Sequence, residues 1–337
     1  MSSSPSSPSS STPETGDSTR RASRTCIMVA AARAFGARDA DAGVRNPDWL
    51  AERLLGSEDL ELIDRHPLSH ALENYQQASQ DPQVAGTVLM MLVRTRYIDE
   101  KLERALRNGA TQVVILGAGF DSRAYRFEEL LRGKRVFEVD SRPTQARKRQ
   151  RVEAVLGHAP ENVVYVPIDF NTDKLGDVLR EAGYRASEKT FFTWEGVSMY
   201  VAEEGVRQTL RAIATQSAPG SSLVMDYTSR GVLDFMAKYP EFSFSRVLAA
   251  WGEQWVFGVP DGQDKQFFAE AGLDATELFP VYSAESAKRY LTRSDGTTMG
   301  MPAGAAPAAL PPEVLAAAME MGKRGAWYAL AELTVPE

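Results

Sequence analysis

The chain has 337 residues, 43% of them hydrophobic and 25% charged, with 38 basic and 45 acidic side chains. Its acidic balance and lack of a long basic block leave nucleic-acid binding without electrostatic support. A single cysteine, Cys26, excludes a disulfide framework or a cysteine-rich metal site, and no apolar run reaches the roughly 20 residues a membrane helix needs.

The length allows about two domains, or one α/β domain carrying insertions. Residues 1–24 are rich in Ser, Pro and Thr and lack the apolar core of a signal peptide, so the expectation is a disordered tail on a cytoplasmic protein. Residues 25–110 read as a helical cap. Ile27 to Phe35 is alanine-rich, Trp49 to Leu55 has helical apolar spacing, and Val84 to Leu106 repeats it over several turns. His66 and His70 are spaced i,i+4, but Pro67 between them favours a polar cap or loop over a metal pair. The cap is expected over the mouth of the sheet that follows.

From Gln112 strands alternate with helices. Strand candidates are Val113–Leu116, Arg135–Val139, Val163–Pro167, Thr190–Trp194 and Ser222–Asp226, with helical stretches such as Leu175–Glu181 and Glu203–Gln216 between them. The fold class is therefore α/β, a doubly wound, mostly parallel Rossmann-like sheet over residues 111–337. The basic cluster from Arg142 to Arg151 reads as a solvated helix face. Residues 228–262 form an aromatic-rich insert, expected to be helical, with Phe235, Tyr239, Phe242, Phe244, Trp251, Trp255 and Phe257. Most of these aromatics belong in a core; some are candidates for a pocket wall. Then come a helix over Asp264–Ala271 closed by Gly272, a final antiparallel pair at Ala275–Phe279 and Trp327–Leu333, and an Ala- and Pro-rich loop from Met301 to Pro312.

The chemistry concentrates at strand ends. Val113-Val114-Ile115-Leu116-Gly117-Ala118-Gly119-Phe120-Asp121-Ser122-Arg123 is a buried strand breaking into a glycine turn, and the next strand ends about twenty residues later at Asp140. That acid falls where nucleotide-binding α/β folds hold ribose hydroxyls. A dinucleotide fits poorly, because Ser122 takes the third glycine position and Asp121 brings negative charge where a pyrophosphate needs helix amides. S-adenosylmethionine has ribose hydroxyls, no phosphate and a cationic amino-acid tail, so it suits these acids. Asp169–Phe170, Glu195–Gly196 and Asp226–Tyr227 close further strands, and one shared ligand explains such a series.

The succession Arg94-Thr95-Arg96-Tyr97-Ile98-Asp99, Gly117 to Arg123, Glu138-Val139-Asp140, Asp169-Phe170 and Trp194-Glu195-Gly196-Val197-Ser198-Met199-Tyr200 resembles the leucine carboxyl methyltransferase family. It is closest to its bacterial branch, similar to carboxyl O-methyltransferases of polyketide pathways, and the likeness runs from about Thr25 onward. The resemblance implies S-adenosylmethionine as cofactor. Arg94 would grip its carboxylate, with Arg96 as the fallback. Gly117, Gly119 and Asp121 would form the turn under its methionine part, and Asp140 would hold the ribose. Asp169 would take the adenine amino group with Phe170 beside it, and Glu195 would face the amino-acid end. Tyr200 would line the acceptor side as the catalytic residue, and Arg123 would make a structural salt bridge.

A carboxylate acceptor has a pKa of about 4 and needs no general base at neutral pH. A phenol, at about 10, calls for a base or a metal, and no strand end here supplies a histidine. This favours a carboxyl acceptor, and the resemblance implies a small organic acid of specialised metabolism; no nucleic-acid or membrane partner and no metal is expected. Methylation of a hydroxyl, and binding of S-adenosylmethionine without transfer, are the alternatives.

Overall fold

The computed structural model describes residues 24–64, 85–240, 248, 253–299, 311–325 and 327–337. The first helices are α1 (Arg24–Ala37), α2 (Ala51–Leu54), α3 (Ser57–Asp64) and the long α4 (Ala85–Arg107). Then come β1 (Gln112–Leu116), the short α5 (Arg123–Arg126) and α6 (Glu128–Leu131), β2 (Arg135–Asp140), α7 (Arg142–Leu156), β3 (Val163–Pro167), α8 (Leu175–Glu181) and β4 (Thr190–Trp194). After a 3-10 turn at Ser198–Tyr200 follow α9 (Glu203–Thr215), β5 (Ser222–Tyr227), α10 (Arg230–Lys238), α11 (Asp264–Glu270) and β6 (Asp274–Pro280). The last elements are α12 (Ala284–Tyr290), α13 (Pro312–Arg324) and β7 (Ala329–Thr334).

The strands form one seven-stranded sheet in the order β3-β2-β1-β4-β5-β7-β6. β1 to β5 run parallel, and β7 is antiparallel to both β5 and β6. The strand order reverses at β1, which pairs with β2 on one side and β4 on the other. Ligands bind such sheets at the carboxyl ends beside that reversal. Register brings those ends level: Leu116 lies opposite both Val139 and Trp194.

Every residue of β1 and β4 is buried, as central strands covered on both faces require. The strand period of two separates the faces. Val113 and Ile115 enter one core with α1, α4 and Val152 of α7, whereas Val114 and Leu116 enter the other with Leu175, Leu179, Val206 and Leu210. Among the described residues, the start of α1 reaches the glycine turn after β1, where a Cβ on Gly119 would lie 3.2 Å from Cβ of Cys26. α4 packs on the sheet against β4 and β5, and its side chains Leu89, Val93, Tyr97 and Leu102 share that core.

Six of the seven strands agree with the sequence expectation to within a residue, β7 starts two residues later than expected, and the final antiparallel pair is β6 with β7. The insert differs. Among the described residues α10 ends at Lys238, Leu248 is helical, and 253–259 is not helical, with a parallel bridge between Ser229 and Val259. Phe235 and Phe257 are core residues; Phe242, Phe244 and Trp251 lie outside the described residues, as do His66 and His70. Pro312, expected in a loop, opens α13, where a proline fits the first helical turn. The solvated-face reading of 142–151 also fails in part. Lys148 is buried, while Arg147 and Arg151 tie α7 to Asp59 and Glu58 of α3. Hydropathy scores a lysine as exposed and cannot see the acid that lets it be buried.

Candidate functional site

The turn after β1 is shaped by two glycines with positive φ, Gly117 at 65° and Gly119 at 38°. A Cβ on Gly117 would lie 2.2 Å from Cγ2 of Val197, so the turn and the Glu195–Val197 segment after β4 touch across the reversal point. A Cβ on Gly119 would lie 3.2 Å from Cβ of Cys26, which places the start of α1 over the turn. Burial pushes the Cys26 thiol well above its usual range, helped by Asp140 and Glu253, so it is a poor nucleophile.

Asp140 ends β2 half-buried. Its Oδ2 accepts the Gly119 N–H at 2.5 Å and its Oδ1 accepts the Ser141 N–H at 2.6 Å. Burial raises its pKa against those two donors. Asp169 is also partly exposed and accepts the Asn171 N–H at 2.9 Å. The Phe170 ring lies 5.8 Å from that of Trp194, which links the β3 end to the β4 end.

Below the turn is a buried network of alternating charge. Arg123 donates from Nε to Asp99 at 2.7 Å, and from Nη1 to Asp121 at 2.5 Å and Glu195 at 2.6 Å. Arg94 places Nε 2.8 Å from Glu195 Oε1 and Nη1 3.0 Å from Asp226, and also donates to the Tyr328 hydroxyl at 2.7 Å. Arg33 bonds Asp48 at 2.8 Å and the carbonyl of Phe120 at 2.8 Å, and Arg126 pairs with Asp99 at 3.0 Å. Asp226 accepts the Gly196 N–H at 2.8 Å and is fully buried. Burial acts to raise the pKa of Glu195, but Arg123, Arg94 and Arg33 outweigh it and hold the carboxyl well below the usual range. For Asp226 burial prevails, and its pKa is raised despite Arg94.

Of the residues picked out in the sequence, Gly119 and Asp140 are directly bonded, Asp121 and Glu195 are joined through Arg123, and Glu195 also faces Arg94. Arg96 lies outside this group, since it bonds the carbonyls of Ala42, Gly43, Arg45 and Tyr290. Asp121 is turned inward: it accepts the Arg123 N–H at 2.7 Å and pairs with its guanidinium. Tyr200 ends the 3-10 turn. Burial pushes the pKa of its hydroxyl up to about 12, against the opposing effect of the neighbouring Trp255 and Thr25. Thr25 in turn donates its N–H and hydroxyl to Glu253, which joins α1 to the non-helical part of the insert.

Arg33, Asp48 and Tyr328 complete the network without having been singled out from sequence. Asp226 was visible as a strand-end acid and Asp99 stood within the Arg94 run. Arg33 sits in an alanine-rich helix and Tyr328 just before β7, where no local pattern marks them.

A parallel sheet with a glycine turn at its order reversal and an acid closing the next strand defines a Rossmann-like nucleotide-binding protein. The family model described as leucine carboxyl methyltransferase matches residues 26–214. The chain belongs to that family, and its cofactor is S-adenosyl-L-methionine. A Streptomyces coelicolor relative with the name "Putative S-adenosyl-L-methionine-dependent methyltransferase" is 35% identical over 173 residues, 51% of this chain and 58% of that protein. One from Mycolicibacterium vanbaalenii with the same description is 35% identical over 213 residues, 63% of this chain and 68% of that protein. The matches to the first three relatives span about half of their length, from 44% to 58%. The crystal structure of a DUF574 family protein from Streptomyces avermitilis shares the fold, with TM-score 0.51 and 15% identity over 81% of this chain and 92% of that one.

Proposed function

We propose that the protein is an S-adenosylmethionine-dependent methyltransferase that forms a methyl ester on a carboxylate of a small organic acid. The observation that carries the reading is the buried pair Arg94–Glu195 beside the glycine turn. Arg94 Nε and Glu195 Oε1 face each other at 2.8 Å, yet neither makes a well-directed hydrogen bond within the protein. A buried guanidinium and carboxylate set side by side suit the two charges of an amino-acid end. The glycine turn, where a side chain at Gly117 would collide with Val197, leaves backbone open to close approach. Asp140 at the end of β2 supplies an acceptor for vicinal hydroxyls. The residues present therefore fit the cofactor.

S-adenosylmethionine supplies a methyl group already activated on a sulfonium. The protein is left to bind, orient and exclude water, and orientation can contribute on the order of 7–11 kcal/mol. Arg94 and Glu195 would hold the amino-acid end, Asp140 the ribose, and Asp169 with Phe170 the adenine. Tyr200 remains protonated at neutral pH, so it can donate to an acceptor carboxylate but cannot serve as a base. α1 and the segment around Trp255 would close the acceptor side. Trp255, which touches Tyr200, is the described aromatic of the insert best suited to wall that pocket.

One observation favours a second reading. Glu253 raises the Tyr200 pKa electrostatically, and a carboxylate so placed suits a hydroxyl acceptor that must lose a proton. Transfer from methyl-labelled S-adenosylmethionine to a panel of acids and phenols separates the two. Methanol released from the product in mild alkali is the result expected; a base-stable ether would establish the second reading in place of the first.

A further inference from the structure

We propose that Lys148, paired with Glu138, is a positioning residue for the cofactor, because it fixes the peptide plane at the centre of the glycine turn. The inference rests on the placement of S-adenosylmethionine at that turn. Both side chains are only 1% exposed, and neither belongs to the charge network below the turn. Lys148 Nζ lies 2.7 Å from Glu138 Oε1 and 3.2 Å from the carbonyl oxygen of Ala118.

That carbonyl and the N–H of Gly119 belong to one peptide unit, which is planar. The N–H end donates to Asp140 Oδ2 at 2.5 Å. One rigid plane thus has the proposed ribose acceptor at one end and, at the other, a carbonyl shared by Lys148 and the N–H of Asp121, which donates to it at 2.7 Å. Any rotation that frees Gly119 from Asp140 also pulls Ala118 from Lys148. The N–H of Ala118 is fixed as well, donating to the carbonyl of Val139 at 3.0 Å. The ammonium also favours the ionised form of Asp140, opposing the effect of its burial.

Stability does not account for the pair. Apolar residues of similar volume usually serve a core as well as a buried ion pair does, because both charges must be stripped of water. A rigid charged donor aimed at one carbonyl is what an apolar pair cannot supply. Tyr125 completes the setting: its hydroxyl bonds that of Tyr165 at 3.1 Å.

The test compares Lys148→Met, which keeps the volume and loses the donor, with Lys148→Gln, which keeps an N–H donor. Both are read by calorimetric titration with S-adenosylhomocysteine and by thermal melting. The expected result is about tenfold weaker binding for Lys148→Met, the equivalent of one hydrogen bond to a charged group. Lys148→Gln should recover most of that loss at a similar melting temperature. Wild-type affinity in Lys148→Met overturns the proposal. If that variant does not fold, Lys148→Met with Glu138→Leu leaves no unpaired charge and should show the same loss. Failure of both to fold also counts against it, since the pair would then serve folding. Failure of the wild-type chain to bind S-adenosylhomocysteine would instead overturn the placement of the cofactor.

Discussion

Arg123 and Glu195 meet at 2.6 Å where the helix after β1 faces the end of β4, so one ion pair joins the two segments flanking the sheet's reversal point. The same guanidinium holds Asp121 and Asp99, and the same carboxylate faces Arg94. Breaking a buried pair by removing one partner costs roughly 3–5 kcal/mol. Glu195→Gln should therefore destabilise the fold by about that much, which urea unfolding would measure. It should also abolish cofactor binding.

The same network sets a pH dependence. Glu195 and Asp48 both have folded-state pKa values held below their ordinary ones, so the unfolded chain takes up protons first. Their stabilisation is fully present above about pH 4.5 and is lost as pH falls below the ordinary carboxyl range of about 4. Glu138 acts the other way: burial pushes it up to about 7 against Lys148, so its share of stability declines as pH rises from about 4.5 through 7. The urea midpoint should thus drop steeply on the acid side and decline gently toward neutrality. A steep acid limb that persists unchanged in Glu195→Gln would show that its carboxyl is not involved.

Asp140→Ala should weaken S-adenosylhomocysteine binding by roughly 1.5–3 kcal/mol, the range for hydrogen bonds to charged groups. It also leaves the Gly119 N–H without its acceptor. Calorimetric titration showing an unchanged Kd would remove Asp140 from the site.

Gly117→Ala places a methyl group 2.2 Å from Val197 Cγ2 on a backbone with φ of 65°. Strain of this kind costs on the order of 1–3 kcal/mol. Adding Val197→Ala should recover the clash and leave the dihedral cost, so the double variant should melt between the single variant and wild type. No recovery would mean that the turn and the β4 end do not touch.

Tyr200→Phe should reduce turnover while leaving S-adenosylhomocysteine affinity within about twofold, because the hydroxyl is assigned to the acceptor and not to the cofactor. A parallel loss of both would move Tyr200 to the cofactor side.

The parallel strands were legible in the sequence because each carries a short apolar stretch, Val113 to Leu116 in β1 being four residues long, bounded by polar or glycine-bearing residues. The acids at strand ends were legible for the same reason: topology alone brings them to one edge. Arg33 and Tyr328 were not, because their role depends on α1 and on the segment before β7 folding back over that edge, contacts with no local pattern. Lys148 was misread as a solvated residue because its neighbours Arg147, Arg149 and Arg151 are basic and only the fold reveals Glu138 beneath it.

β7 is inserted between β5 and β6, although β6 precedes it in the chain. During synthesis β6 therefore emerges before the strand it will bond to, and must wait with an open row of backbone donors and acceptors. Its sequence is suited to waiting. Asp274, Thr276, Glu277 and Pro280 break up what would otherwise be an apolar ribbon, and charge and proline are the usual protection of an exposed edge. Tyr328, which caps Arg94 and Asp226, arrives with β7. The catalytic edge is thus completed only when the sheet is closed, so a nascent or nicked chain lacking that strand would lack the buried cation's last partner as well.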